Sequence, residues 1–441
     1  MRRQARARAI AVAVAVAGAL LGGPVVQSAA ASPLSALRRA FAHDLNAGGG
    51  SNGALVVDMN TGQTLYSYKP NTGRLPASNE KIYTTSTALL RFGAGATLQT
   101  TIYGVGTLES DGVFDGSLYL HGGGDPSFGS TSFDNYFYGK NVSDATMQSL
   151  VAQLVQDGIK SVNGDVDGDA SYLDAAQGTA PSDFRASFDL GSPLSALDYD
   201  RGWLDTTGLY FQANPPLYAA QQLVLTLRAA GVKVPKNHAF TGKTPTGAQL
   251  LATVSSPPMS TMIALTNTPS DNLFAETLIK DLGARFGGRG STAAGAAVVR
   301  AEVASQFGIH PKIYDGSGLS YSDSSSPADI VTALEKMASN QDFVDSLAIA
   351  GETGTLEDRM VGTNAQGKCR GKTGTLDAVS NLSGYCRARD GHTLVFSILQ
   401  NYVNPDTEHG LQDEMAEALV RYDGQTPAST TQPPSPGTPG P

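Results

Sequence analysis

LPASNEKIYTTSTALLRFG, residues 75–93, places a serine and a lysine three positions apart at the start of a helical pattern. Pro76 precedes the expected helix, Ser78 opens it and Gly93 closes it. Residues i and i+3 share a helix face, so Lys81 reaches back to the Ser78 hydroxyl. The Ser78 backbone N–H is one of the unpaired donors of a helix start. A lysine at its ordinary pKa, roughly 10.4, is a poor base. A second cation nearby would lower that value and free the amine to take the serine proton. The plain alternative is a capping serine beside a surface lysine. The pattern Ser-x-x-Lys occurs nowhere else in the chain.

Working outward, Leu34 to Leu45 reads as a short amphipathic helix, and SNGALVVDMNTGQTLYSY (51–68) as two strands around an Asn-Thr-Gly turn. Past Ala94 the character changes. Short strand-like runs dominate, among them TLQTTIYGVG, GSLYLHGGGDPSF, SVNGDVDGDASYLD and QQLVLTL, with helix candidates at 146–158 and 218–230. From Met259 helical patterns return, followed by a strand, HTLVFSILQNYV, and a helix near 405–422. The expectation is an α/β (α+β) fold: an antiparallel sheet flanked by helices, built from 32–95 plus 250–423. An α+β domain at 96–249 is inserted into it.

Two further patterns carry chemistry. Ser270-Asp271-Asn272 lies between helical stretches. Its serine can relay a proton to a leaving amine, and Asn272 can bond a substrate carbonyl and Lys81. The alternative is a helix cap, and Ser161-Val162-Asn163 is a decoy of the same form. Lys372-Thr373-Gly374 falls where a strand is expected. Lys372 would be the cation that depresses Lys81 and attracts an anionic substrate end. Gly374 would let a substrate backbone approach. Thr373 and Thr375 can bond a carboxylate, and the Thr375 and Ser78 N–H groups can form an oxyanion hole. The alternative is a hairpin with an exposed lysine. GETGTL (351–356) differs from GKTGTL (371–376) only at Glu352. Thr355-Leu356-Glu357-Asp358 reads as a capping-box helix start, so the first copy is expected to be scaffolding.

Ser-x-x-Lys on a helix, Ser-x-Asn, then Lys-Thr-Gly on a strand is the order shared by class A β-lactamases and penicillin-binding proteins. The chain resembles that superfamily, with a β-lactamase/penicillin-binding-protein-like transpeptidase fold. More closely it resembles the class C low-molecular-mass penicillin-binding proteins, the D-alanyl-D-alanine carboxypeptidase/endopeptidases. LYLHGGGDPSF (118–128), SPLSAL (192–197), SDNLFAETL (270–278) and DGSGLS (315–320) carry that likeness. The resemblance implies a serine peptidase acting on peptidoglycan stem peptides through an acyl-enzyme on Ser78. It implies acylation by β-lactams and no metal or other cofactor. The chain departs from the family pattern twice. The insertion is shorter than usual, and Tyr321 stands where many members carry a basic residue. A β-lactamase or esterase on the same fold is the rival reading; a non-catalytic wall-binding protein is the rival of another class.

The ends suggest where the protein works. Arg2, Arg3, Arg6 and Arg8 precede the apolar run AIAVAVAVAGALLGG, and Ala29-Ala30-Ala31 offers a cleavage site. Residues 1–31 therefore read as a secretory signal peptide, with an uncleaved anchor as the alternative. The tail 424–441 is rich in Pro, Thr and Ser and reads as disordered. Formal net charge is −9, and setting aside the four leader arginines leaves −13, which argues against nucleic acid as a partner. Cys369 and Cys386 are the two cysteines. In a hairpin where Gly374 faces Asn381 they stand opposite each other, so an oxidising compartment would join them.

Overall fold

The computed structural model describes residues 32–140, 142–235 and 238–424. The expected signal peptide and all of the expected tail except Gly424 lie outside the described residues. Helix α1 (Pro33–Gly48) starts on Ser32, whose Oγ accepts the Ser35 N–H, with proline at the first helical position. Strands β1 (Ser51–Asp58) and β2 (Gln63–Tyr68) form the expected hairpin. A 3-10 turn, Ala77–Glu80, then leads into α2 (Lys81–Phe92), which ends at Gly93 with φ 87°.

A second sheet interrupts the first. It comprises β3 (Gln99–Leu108), β4 (Val113–Gly122), β5 (Ser161–Val162), β6 (Val166–Asp169), β7 (Ala239–Thr241) and β8 (Gln249–Ser255). The order is β7-β6-β4-β3-β8 with β5 beside β4, antiparallel around β3 and parallel from β4 to β7. Helices α3 (Thr131–Phe137), α4 (Met147–Gln156) and α5 (Pro215–Ala229) accompany it. Leu150 and Leu154 of α4 pack with Leu223 and Leu227 of α5 on Ile102, Leu118 and Leu120. The run QQLVLTL is therefore helix, not strand: Leu223, Val224 and Leu227 recur at helical spacing on one buried face. Strand β8 pairs with β3, so sheet pairing puts the second module's end after Ser255, six residues past the expected boundary at 249.

The chain then returns to the first sheet. Helices α6 (Met259–Asn267), α7 (Asn272–Phe286), α8 (Thr292–Phe307), α9 (Pro327–Met337) and α10 (Gln341–Asp345) precede β9 (Ala348–Ile349). Strands β10 (Cys369–Leu376), β11 (Val379–Arg387) and β12 (Thr393–Asn401) follow, and α11 (Pro405–Arg421) closes the fold. The sheet runs β2-β1-β12-β11-β10-β9, antiparallel throughout. Alternation along β12 feeds two cores. Leu394, Phe396 and Ile398 join α1 and α11 on one face. Val395 and Leu399 join α2, α6, α7 and α9 on the other. Each such fully buried side chain contributes ~1.5–3 kcal/mol. Cys369 pairs with Cys386 and Gly374 with Asn381, the expected register, and the cysteines are joined in a disulfide. Closing that 17-residue separation restricts the unfolded chain by roughly 3 kcal/mol. Among the described residues no helix is long and apolar enough to cross a membrane.

Candidate active site

Three separate stretches of chain meet at one buried amine. Lys81 Nζ lies 2.9 Å from Ser78 Oγ, 2.6 Å from Asn272 Oδ1 and 2.9 Å from the Ser317 carbonyl oxygen. Three acceptors match the three protons of an ammonium, and Lys81 is fully buried. Burial is the largest influence on its pKa and brings it down to about 8, against the opposing pull of Asp315, Glu276, Asp271 and Glu80. A cation was expected to supply that depression, but desolvation supplies it. The repulsion between the two lysines is felt at Lys372, which burial first and Lys81 second hold well below the usual range.

Local geometry explains how each group arrives. Ser78 sits in the 3-10 turn, where Ala77 adopts a left-handed φ of 46°. Asn381 Nδ2 pins that turn to the sheet by donating to the carbonyls of Leu75 and Pro76. Gly374 is the reason the turn and β10 can touch. A Cβ there would lie 2.7 Å from the Pro76 oxygen and 2.8 Å from Asn79 Nδ2. The close approach expected of a substrate backbone is thus first made by the serine-bearing turn itself.

Ser270 is left-handed, φ 64°, a conformation that costs a non-glycine residue about 1–2 kcal/mol. Asp271 offsets this by capping α7 through the Phe274 N–H and by pairing at 2.7 Å with the buried Arg201. Arg201 belongs to the second module and lies against the rings of Phe137, Trp203 and Phe274. Asn272 Nδ2 donates to the Asp189 carbonyl at 2.5 Å, which orients its Oδ1 toward Lys81. Lys280 of α7 pairs with Asp174 at 2.8 Å. An irregular segment of the second module, residues 174–201, therefore anchors the Ser-x-Asn loop and α7.

Lys372 is fully buried on β10, and its Nζ donates to its neighbour's carbonyl, Thr373 O, at 3.0 Å. Thr373 Oγ1 donates to Thr355 Oγ1 at 2.8 Å, whereas Thr375 is exposed. A cavity of about 580 Å³ opens beside these groups, with Asn272, Thr375 and Tyr321 in its wall. Asp189, Asp377 and Asp406 also line it, without a lysine or arginine.

The expected Ser78, Lys81 and Asn272 thus form one hydrogen-bonded set, and Asn272 and Thr375 share a cavity. The decoy Ser161-Val162-Asn163 lies in the second sheet and its edge. Sequence reasoning missed the Ser317 carbonyl, Asn381, Arg201 and Thr355. The glycine spacing in DGSGLS was the available signal for the first. The others depend on contacts across 70 or more residues, except Thr355, eighteen positions from its partner. The expected helix start at Thr355 is not formed: Gly354–Leu356 is a 3-10 turn followed by further turns.

Comparison with known proteins fits this geometry. A model of the D-Ala-D-Ala carboxypeptidase 3 (S13) family matches residues 37–213 and 205–422. The D-alanyl-D-alanine carboxypeptidase of Actinomadura sp. is 28% identical over 488 aligned positions, spanning 91% of this chain and 87% of that protein. The D-alanyl-D-alanine carboxypeptidase DacB of Haemophilus influenzae is 25% identical over 442 positions, 81% of this chain and 87% of the relative. The crystal structure of penicillin binding protein 4 (dacB) from H. influenzae superposes with a TM-score of 0.69 at 22% identity, covering 88% of this chain and 98% of that one. That structural likeness establishes a penicillin-binding-protein fold, as expected. The chain belongs to the D-Ala-D-Ala carboxypeptidase 3 (S13) family.

Proposed function

We propose that this protein is a serine-type D-Ala-D-Ala carboxypeptidase that acts on peptidoglycan stem peptides through an acyl-enzyme on Ser78. The observation that carries this reading is the buried Lys81 amine, held on Ser78 Oγ with its pKa lowered to about 8. An amine so placed is a competent general base near neutral pH.

Ser78 Oγ attacks the carbonyl of the penultimate D-Ala while its proton passes to Lys81. The oxyanion forms against the N–H groups of Ser78 and Thr375, fixed donors that strengthen as charge develops. Collapse breaks the peptide bond, and Ser270 gives its proton to the departing D-Ala amine while taking the one held by Lys81, which leaves Lys81 neutral again. Lys372, Thr373 and Thr375 receive the terminal carboxylate. An arriving carboxylate offsets the repulsion from Lys81 and so favours the charged form of Lys372. Water then attacks the ester, its proton again passing through Lys81, and Ser78 is released. A β-lactam enters by the same attack and stays as the acyl-enzyme. On this reading the leader directs export, and the protein works outside the cytoplasm.

The test is mass spectrometry of intact protein and products. Penicillin should add one adduct to the wild type and none to Ser78→Ala, and a pentapeptide should lose one D-Ala. Cross-linked wall peptides offered in parallel read out endopeptidase action. Rapid penicillin turnover with no D-Ala release would replace this reading with a β-lactamase.

A further inference from the structure

We propose that Glu276 is a positioning residue of this site: its buried carboxylate holds the Gly316–Ser317 backbone so that the Ser317 carbonyl keeps Lys81 on Ser78. The proposal rests on the reading of Lys81 as general base. Glu276 is fully buried on α7, one turn after Asn272, so the two side chains share a helix face. Its Oε1 accepts the N–H of Gly316 and the N–H of Ser317, both at 2.8 Å. The next atom in this chain of contacts is the Ser317 carbonyl, 2.9 Å from Lys81 Nζ. One face of α7 therefore sets two of the three partners of the lysine, Asn272 directly and Ser317 through its loop.

The loop is built to be held there. Asp315 accepts the N–H groups of Gly318 and Ser320, both at 2.7 Å, which closes the loop on itself. Thr84 Oγ1, one turn after Lys81 on α2, donates to the Gly316 carbonyl at 2.9 Å. A Cβ on Gly316 would lie 2.5 Å from the Ala275 oxygen, and one on Gly318 would strike the Ala77 oxygen. Both glycines thus let the loop lie flat between α7 and the Ser78 turn. Losing Glu276 would free the segment that aims Ser317, and a small displacement of a reacting group is costly in rate.

Charge supplies a second readout. Glu80, Asp315 and Asp271 also face Lys81, Asp323 adjoins Asp315, and Lys372 stands on β10. Burial and then Asp315 push the Glu276 carboxyl up to about 7, so it is ionised where Lys81 titrates, near 8. Its negative charge raises the Lys81 pKa. Glu276→Gln keeps an oxygen for both N–H groups and removes the charge, which lowers the Lys81 pKa.

The experiment measures acylation by a chromogenic β-lactam against pH for the full mature chain, with melting temperature as a fold check. Glu276→Leu should acylate about 10²-fold more slowly, with reversible β-lactam binding changed far less. Glu276→Gln should restore most of that rate, and the acidic limb of its profile should move to lower pH. A folded Glu276→Leu protein that acylates at the wild-type rate overturns the proposal. If that variant does not fold, Glu276→Gln decides, and an acidic limb unmoved from the wild type overturns it. Ser78→Ala run alongside separates the two claims. An adduct persisting there refutes the general-base reading and this proposal with it. A lost adduct there beside an unimpaired Glu276→Leu refutes the proposal alone.

Discussion

GETGTL (351–356) and GKTGTL (371–376) share five of six residues and fold differently. The second copy is a strand, extended through both glycines and paired with β11 along its whole length, with β9 beside it only at Gly371. The first turns at Gly351, φ 68°, and again at Gly354, φ 57°, then winds into a 3-10 turn. A Cβ on Gly354 would strike the Thr268 carbonyl, two residues before Ser270. Identical glycines thus pack closely in both copies, at left-handed turns in the first and along an extended strand in the second. Neighbours decide, not local propensity. Nor is the first copy inert scaffolding. The Thr355 N–H donates to the Thr268 carbonyl at 3.1 Å, and its hydroxyl accepts from Thr373. It therefore ties the Ser-x-Asn loop to the Lys-Thr-Gly strand.

The sharpest way to break this comparison is to exchange the differing residue. Lys372→Glu puts a carboxylate where a buried amine stands, keeps Lys81 protonated and repels a substrate carboxylate. Acylation should fall about 10³-fold or more, the scale of a lost general base, and intact-mass detection of the penicillin adduct checks it. Gly374→Ala comes next. The new methyl meets the Pro76 oxygen at 2.7 Å and pushes β10 from the Ser78 turn. A displacement near 1 Å should slow acylation about 10²-fold. Gly354→Ala, in the first copy, should lower the melting temperature through left-handed strain of about 1–2 kcal/mol together with the clash of its methyl on the Thr268 carbonyl, and it should slow acylation only through the Ser-x-Asn loop. If Gly354→Ala left the melting temperature unchanged, the close contact of the first copy with the Ser-x-Asn loop would be refuted.

What the sequence made legible follows the range of the interactions. Ser78 and Lys81 lie one turn apart, so helix geometry alone joins them. The disulfide register followed from period-two pairing in a hairpin. Asn272 and Lys372 were reachable only because three short patterns occur in a known order. The Ser317 carbonyl is a backbone atom and leaves no residue-type signature. Arg201 reaches Asp271 across 70 residues and from the other module. QQLVLTL was read both as strand-like and as part of the helix candidate 218–230, because a short apolar run fits a strand and a buried helix face alike; packing against the second sheet decides for the helix.

The smaller effects test whether the first copy supports the second. Thr355→Val keeps the shape and removes the oxygen that accepts from Thr373. A net hydrogen bond contributes ~0.5–1.5 kcal/mol, so carboxylate-bearing peptides should lose roughly threefold to tenfold in kcat/KM. β-Lactam acylation should follow in the same direction. Glu352→Lys should do least. Glu352 is exposed, while its counterpart Lys372 is fully buried. An exposed charge reversal away from the site changes stability by about 0.5 kcal/mol or less. It should also leave the pH midpoint of acylation, near 8, where it is, because water screens that charge from the buried Lys81. A shift of that midpoint in Glu352→Lys as large as that in Glu276→Gln would mean that the copies are electrostatically equivalent. The burial of Lys372 would then be incidental to its chemistry.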